Sequence, residues 1–449
     1  MNVRLVPLLL LLSSVPLAAQ SPAPRRLEVP YRQVTLANGL TVILHRDASV
    51  PVVSVNVWYH VGSANERPGR TGFAHLFEHL MFEGSKNVPE GAFDTLLESA
   101  GGDNNGSTNN DRTNYYEDLP ANALELALYL ESDRMGFLLD TMSPERVNGQ
   151  RDVVKNERRQ SYENRPYGMA SLELDRMLWP AGHPYSWPTI GEMADLTAAS
   201  YEDVVAFFKK YYTPNNASLV IAGDIDLDRT QALVEKWFGS LPAGPAVEPV
   251  APPAAILTGV TRRTLTDRVQ LPQLTLGWLT PPAYAPGDAA LDIASSVLSG
   301  GKNSRLYKRL VYDMQIAQDV SAYQQSRPLG GSFIIEATAR PGKSLADIQK
   351  VIDEEIDRLR REPPDAREVQ RAINQTEAAF YRSMERVGSY RGKADQLNAY
   401  FAAGGSPDYF AEDLARYTSL SPTDIQAAVR RWLPADRRVE LIVEPEAAK

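Results

Sequence analysis

Gly72-Phe73-Ala74-His75-Leu76-Phe77-Glu78-His79-Leu80-Met81-Phe82 is an apolar run interrupted by three chemistry-bearing side chains. Its spacing predicts a largely buried helix, on which residues four apart are neighbours. His75 and His79 therefore face the same way and can grip one metal ion. Neutral imidazole suits Zn2+, and a catalytic zinc site takes three protein ligands and leaves a fourth position for water. Glu78 stands three residues after His75 and one before His79, placed to take a proton from that water without being a ligand.

The order His-x-x-Glu-His inverts the commoner zinc-protease signature. Five residues also match by chance, and the competing reading is a helix with two structural histidines and a solvated glutamate. Two features weigh against it. The chain holds only five His, at 45, 60, 75, 79 and 183, so two of them at ligand spacing beside an acid is a poor coincidence. The flanks are apolar, and polar groups buried there are costly unless something satisfies them.

A chain of 449 residues exceeds one ordinary core and implies at least two domains. With 43% hydrophobic and 23% charged residues the composition is that of a globular protein, and a formal net charge of −9 excludes a general nucleic-acid binder. Residues 1–19 read as a secretory signal peptide: Arg4, the apolar run Val6 to Leu12, then small residues closing at Ala18-Ala19. No later segment approaches the ~18 continuous apolar residues of a membrane span. The mature chain is thus expected to be exported, to the periplasm or beyond, with no membrane span. Having no Cys, it can build neither a disulfide scaffold nor a thiolate zinc site, which leaves His and carboxylate ligands.

Around the motif, residues 32–36, 40–44 and 52–59 read as strands, the first two joined by the turn Asn38-Gly39. Helices are predicted over 91–100, 121–139, 144–162 with Ser143 as N-cap, 167–178 and 201–211, with strands at 111–117 and 217–222. Residues 101–110 are polar and glycine-rich, and alone they read as a flexible loop. The proline-rich stretch 241–256 is a connector unsuited to helix or central sheet. After it the plan repeats: strands within 262–280, at 316–324, 332–339 and 439–443, and helices over 289–298, 344–361 and 367–387. The expectation is an α+β protein of two homologous domains, 28–240 and 257–449, each a mostly antiparallel sheet packed with helices. The second contains no His, so only the first can hold this kind of site.

A third ligand is needed, and the helix over 144–162 with its C-terminal end offers Glu145, Asp152, Glu157 and Glu163. Spacing alone does not choose among them, and a charge-rich helix is also an ordinary solvated face. Residues 72–84, followed by Arg151-Asp152-Val153-Val154-Lys155-Asn156-Glu157, resemble the pitrilysin family, which includes insulin-degrading enzymes and the mitochondrial processing peptidase. The likeness extends through Thr113-Asn114-Tyr115-Tyr116, His183-Pro184-Tyr185, Tyr212-Thr213-Pro214-Asn215-Asn216 and Ala222-Gly223-Asp224-Ile225. It implies one zinc per chain held by His75, His79 and Glu157, the last lying 78 residues after His79 in a Val-x-x-Glu context, with Glu78 as the general base. It also implies that Asn105, Gly106, Ser107 and Thr108 form an edge strand against which an extended peptide substrate pairs through its main chain.

Two departures from the family pattern stand out. Many members carry a Glu seven residues before the zinc Glu, where this chain has Gln150; hydrogen bonding around the ligands survives that change, charge tuning does not. Active relatives also draw an Arg and a Tyr from an opposing homologous half, yet Ser332 stands in the expected Arg region, and Arg340, Arg391 and Tyr400 read as surface packing. Relatives enclose substrates in a chamber of four such domains, so a two-domain chain is expected to pair, with Ser332 favouring a heterodimer with a related chain over a homodimer. The implied activity is zinc-dependent endopeptidase cleavage of peptides or unfolded segments. The alternatives are a non-catalytic structural or assembly subunit, opposed by the intact motif, and a different zinc hydrolase.

Overall fold

The computed structural model describes residues 27–446; the signal-peptide expectation for 1–19 lies outside the described residues. Strands β1 (Arg32–Thr35), β2 (Thr41–Arg46), β3 (Val52–Tyr59), β4 (Asp103–Thr108), β5 (Thr113–Pro120) and β6 (Ala217–Gly223) form one sheet in the order β1-β2-β6-β3-β5-β4. Strands β7 (Val260–Asp267), β8 (Gln273–Thr280), β9 (Ala317–Gln325), β10 (Gly331–Ala339) and β11 (Arg438–Pro445) form the second, in the order β7-β11-β8-β10-β9. Each sheet has one parallel pair, β2 with β6 and β7 with β11, and is otherwise antiparallel. With β1 set aside, the two strand orders and directions correspond one to one, so the repeat is one of topology. In that correspondence β9 stands where β4 stands, each the outer strand of its sheet.

The helices are α1 (Phe73–Leu80), α2 (Ala92–Ser99), α3 (Leu124–Phe137), α4 (Pro144–Arg158), α5 (Gly168–Leu178), α6 (Met193–Ala198), α7 (Tyr201–Tyr211) and α8 (Leu227–Phe238) in the first half. The second half has α9 (Asp288–Ser299), α10 (Leu345–Arg361), α11 (Ala366–Met384), α12 (Lys393–Ala402), α13 (Phe410–Thr418) and α14 (Pro422–Trp432). Helix α4 starts where Ser143 Oγ accepts the Arg146 N–H and Pro144 takes the first helical position. It widens into a π-helical turn over Arg159–Glu163, which covers the end of the helix expected to reach Tyr162.

Strands β2 and β6 are largely apolar on both faces, as suits strands covered on both sides, while β3 turns Ser54 and Asn56 toward the second half. Val42, Leu44, Leu219 and Ile221 join α1, α3, α4, α7 and α8 in the main core of the first half. Their alternate neighbours Ile43, Val220 and Ala222 are covered by Val387, Ala394, Leu397, Tyr400 and Phe410, all from the second half. The reverse exchange also occurs: Ala170, Leu174 and Leu178 of α5, with Trp179 and Tyr185, cover Ile334, Val439, Leu441 and Val443 of the second sheet. Each half thus lends apolar cover to the other's sheet.

Three differences from the expectations have plain causes. Residues 103–108, polar and glycine-rich, pair with β5 over their whole length, because main-chain hydrogen bonding at a sheet edge needs no apolar side chains. Tyr400 is not a surface residue: it is buried, donates to Asp413 Oδ2 (2.8 Å) and packs against Tyr409 and Phe410. Arg340 donates from Nε to the Ala317 carbonyl (3.1 Å), which ties it to β9.

Candidate active site

Helix α1 is built to be rigid. Its apolar residues Phe73, Leu76, Phe77 and Leu80 are buried, and Phe77 packs against Phe207 (5.7 Å, near-parallel) and Tyr212 (4.9 Å). The free N–H groups of its first turn are taken by Glu66, whose two carboxylate oxygens accept from Gly72 N and Ala74 N, both at 2.8 Å. Gly72 has φ +91°, and a Cβ there would lie 2.9 Å from Gly191 Cα, so only glycine fits this entry. At the far end Tyr115 donates from its hydroxyl to the Phe77 carbonyl (3.2 Å).

His75 and His79 then project to one side, with ring centroids 4.8 Å apart and planes at 74°. Helix α4 is anchored by Val147 and Val154 in the core, and Glu157, three residues after Val154, is turned toward the imidazoles. Glu157 Oε2 lies 3.6 Å from His75 Nε2 and 3.2 Å from His79 Nε2. One donor atom from each of the three residues falls within 4.8 Å of the others, the one such group of three among the described residues. Glu145, Asp152 and Glu163, equal candidates by spacing, are not in it: Glu145 lies in the first turn of α4, Asp152 pairs with Lys155 and Glu163 with Arg158.

Burial pushes the His75 imidazole below its ordinary pKa, which keeps it neutral, and the hydrogen bond from His79 holds the Glu157 carboxyl below the usual carboxylate range. Two imidazole nitrogens and one carboxylate oxygen form a donor set suited to Zn2+. His75 Nδ1 is buried without a hydrogen-bond partner. Glu78 is partly exposed, and its charge is felt by His75.

Strand β4 runs beside this group. A Cβ on Gly106 would stand 3.3 Å from Glu78 Cγ and 3.2 Å from two ring carbons of Tyr115, so the strand passes Glu78 at close contact. Asn109 N–H bonds to Arg112 O (3.0 Å), and the continuous register from there makes 107/114 and 105/116 the hydrogen-bonded pairs. Asn104, Gly106 and Thr108 consequently turn main-chain groups to the open edge. Asn105 and Ser107 keep theirs toward β5, and Asn105 Oδ1 accepts the Gly106 N–H (2.8 Å).

Gln150 donates from Nε2 to Glu83 Oε1. Burial raises the Glu83 pKa, and the amide of Gln150 supplies a donor where a second carboxylate would repel. Ser332 is buried in β10, with its hydroxyl 3.2 Å from Gln325 Oε1. Sequence reasoning missed Glu66 and Glu83. An acidic residue shortly before a glycine-initiated helix is the signal that fits Glu66; Glu83 carries none.

The family model described as "Insulinase (Peptidase family M16)" matches residues 41–176, and "Peptidase M16 inactive domain" matches residues 198–376. The Zinc protease PqqE of Helicobacter pylori is 31% identical over 352 residues, 76% of each chain. The Uncharacterized zinc protease YmxG of Bacillus subtilis is 25% identical over 358 residues, covering 80% of this chain and 85% of its own. Among solved structures, a protease from H. pylori superposes with a TM-score of 0.86 at 26% identity, over 93% of this chain and all of that one. The periplasmic protease PqqL of Escherichia coli shares the fold, with a TM-score of 0.76 at 18% identity over 92% of this chain but 47% of its own.

Proposed function

Because this chain belongs to the insulinase family of peptidases, we propose that it is a zinc-dependent endopeptidase acting on extended peptides. The observation that carries this reading is the convergence of His75, His79 and Glu157 beside an open strand edge that passes Glu78 at contact distance. His75, His79 and Glu157 would hold the metal, and a zinc ion there would supply Lewis-acid polarisation of the scissile carbonyl and a water of pKa lowered toward ~7.

The chain's own residues do the rest. Outward main-chain groups of Asn104 and Thr108, with the Gly106 carbonyl, pair with an extended peptide and lay it across the site, a mode that reads backbone more than side chains. Glu78 accepts the proton of the attacking water and returns it to the leaving amine. Glu66 and the aromatic cluster behind Phe77 keep the ligands at fixed spacing, and Gln150 with Glu83 supports the adjoining turn.

The active form in this reading is a pair of chains enclosing a chamber. The single-chain PqqL, of which this chain covers about half, supports such a pairing, and Ser332 favours a related partner over an identical one. Residues 1–19 support export to the periplasm or the medium, which cell fractionation tests. A non-catalytic subunit is the weaker reading, because all four chemistry-bearing residues are present. Metal analysis of the purified full chain, alone and with its co-purified partner, joined to cleavage of an oligopeptide panel before and after chelation, decides among these. The expected result is one zinc per chain and cleavage lost on chelation and restored by zinc. Cleavage indifferent to chelation overturns the metal reading, and full activity as a monomer overturns the pairing.

A further inference from the structure

Strand β4 is the element on which a peptide would pair; β5 of the first half holds it along its whole length, and side chains reaching from the second half add to that hold. Ser107 is fixed at two atoms. Its hydroxyl donates to Asn114 Oδ1 (2.6 Å), and its carbonyl accepts from Arg112 Nη1 (2.7 Å). Both partners lead to one carboxylate across the chain. Asn114 Nδ2 donates to Asp395 Oδ1 (3.1 Å), which orients the Asn114 amide so that its oxygen faces Ser107. Arg112 lies over the Trp58 ring (5.2 Å), and Trp58 Nε1 donates to the same Asp395 oxygen (3.0 Å). The other oxygen accepts from Arg391 N (2.9 Å), which locks the carboxylate in place. Asp395 is buried, on α12 of the second half, and its charge also faces the buried Arg112 guanidinium.

We propose that Asp395 is a positioning residue for the peptide-receiving strand, acting on Ser107 of β4 along two routes, through Asn114 and through Trp58 and Arg112. This rests on the reading of β4 as the substrate strand and extends it: the half without a metal site sets the register of the half that has one. Nearby contacts point the same way. Ser389 donates to Asp118 Oδ2 (2.7 Å) on β5, and Arg327 donates from Nη1 to Asn110 Oδ1 (3.2 Å) in the β4–β5 turn, so second-half side chains grip this hairpin along its length.

A charged acceptor serving two buried donors is worth more than a neutral one, so Asp395→Asn weakens both routes while nearly preserving shape. In the full chain, hydrogen exchange of the amides of residues 103–108 is expected to speed up about tenfold, the size expected for the loss of one charge-assisted bond. Peptide KM rises by a similar factor, while zinc content is unchanged and kcat stays within about twofold. Trp58→Phe keeps an aromatic ring beneath Arg112 while removing the Nε1 donor together with part of the indole; it should shift the same readouts in the same direction by less. Because that variant cuts one route without removing the buried charge, it decides the matter if Asp395→Asn does not fold. Unchanged exchange at 103–108 in a folded variant overturns the proposal whether or not the chain proves to be a peptidase. A fall in kcat with KM unchanged, or a loss of zinc, overturns it as well. Faster exchange in a chain that cleaves no peptide sinks the functional reading and leaves the coupling standing.

Discussion

Gly106→Ala tests the closeness of β4 to Glu78. The added Cβ would sit 3.2 Å from Tyr115 Cδ1 and Cε1 and 3.3 Å from Glu78 Cγ, each a few tenths of an ångström inside ordinary contact. Tyr115 cannot yield: it is fully buried, its hydroxyl is bonded to the Phe77 carbonyl, and the Arg134 guanidinium lies over its ring at 4.2 Å. The displacement therefore falls on Glu78 or on the strand itself. A misplacement of 1 Å costs about 100-fold in rate, so a few tenths of an ångström correspond to a kcat lower by about fourfold to tenfold. The atoms nearest the added Cβ belong to Tyr115 and Glu78 and not to the zinc ligands, so metal content should stay at one per chain. Steady-state cleavage of an internally quenched peptide, metal analysis and a thermal melt on one preparation separate these effects. A Gly106→Ala protein with full kcat, or one whose loss tracks its zinc content, refutes the reasoning.

Three further outcomes are expected. Glu78→Gln should retain zinc and lose about 100-fold or more in kcat, because general-base catalysis contributes on that scale and the amide cannot take a proton; kcat near wild type would remove Glu78 from the mechanism. Glu157→Ala and His75→Ala should lose both zinc and activity, and metal analysis showing full occupancy in either would exclude that residue as a ligand. The Lys393 ammonium beside Asp47, with help from Ser49, holds the Asp47 carboxyl well below its ordinary value of 3.8. A depressed folded-state pKa contributes stability above the unfolded value and loses it as the pH falls toward the folded one. Lys393→Met should accordingly destabilise the chain at neutral pH, with the difference shrinking from about pH 5 toward about pH 2 in denaturant titrations. A difference independent of pH would mean that packing, not charge, accounts for it.

The metal ligands on α1 were legible because both lie one helical turn apart, so local periodicity brings them together. Glu157 was not legible from spacing and came only with the family resemblance, since four acids on or next to one helix are equivalent until the packing of Val147 and Val154 decides which way α4 turns. The two sheets could be read from alternation and turn residues, but the strand at 103–108 could not, and only the family resemblance pointed to an edge strand at 105–108: its side chains are polar on both faces, and pairing with β5 makes it a strand. Helix α12 escaped notice for the opposite reason: Ala394, Leu397 and Tyr400 are spent on the other half's sheet, so no nearby strand announces it. Helices α13 and α14 were missed as well, although α14 buries Ile425, Ala428 and Val429 in the core of its own half. Tyr400 was misjudged on the same account, because the aromatic cluster that buries it belongs to this crossed cover.

The exchange of cover between the halves bears on what happens when the chain is cut. A nick in the exposed proline-rich stretch near Pro252 breaks one covalent link and leaves the apolar contacts of both clusters intact. Two fragments produced this way are predicted to stay together through purification, and a gene split at this point would encode two polypeptides that each need the other to finish folding.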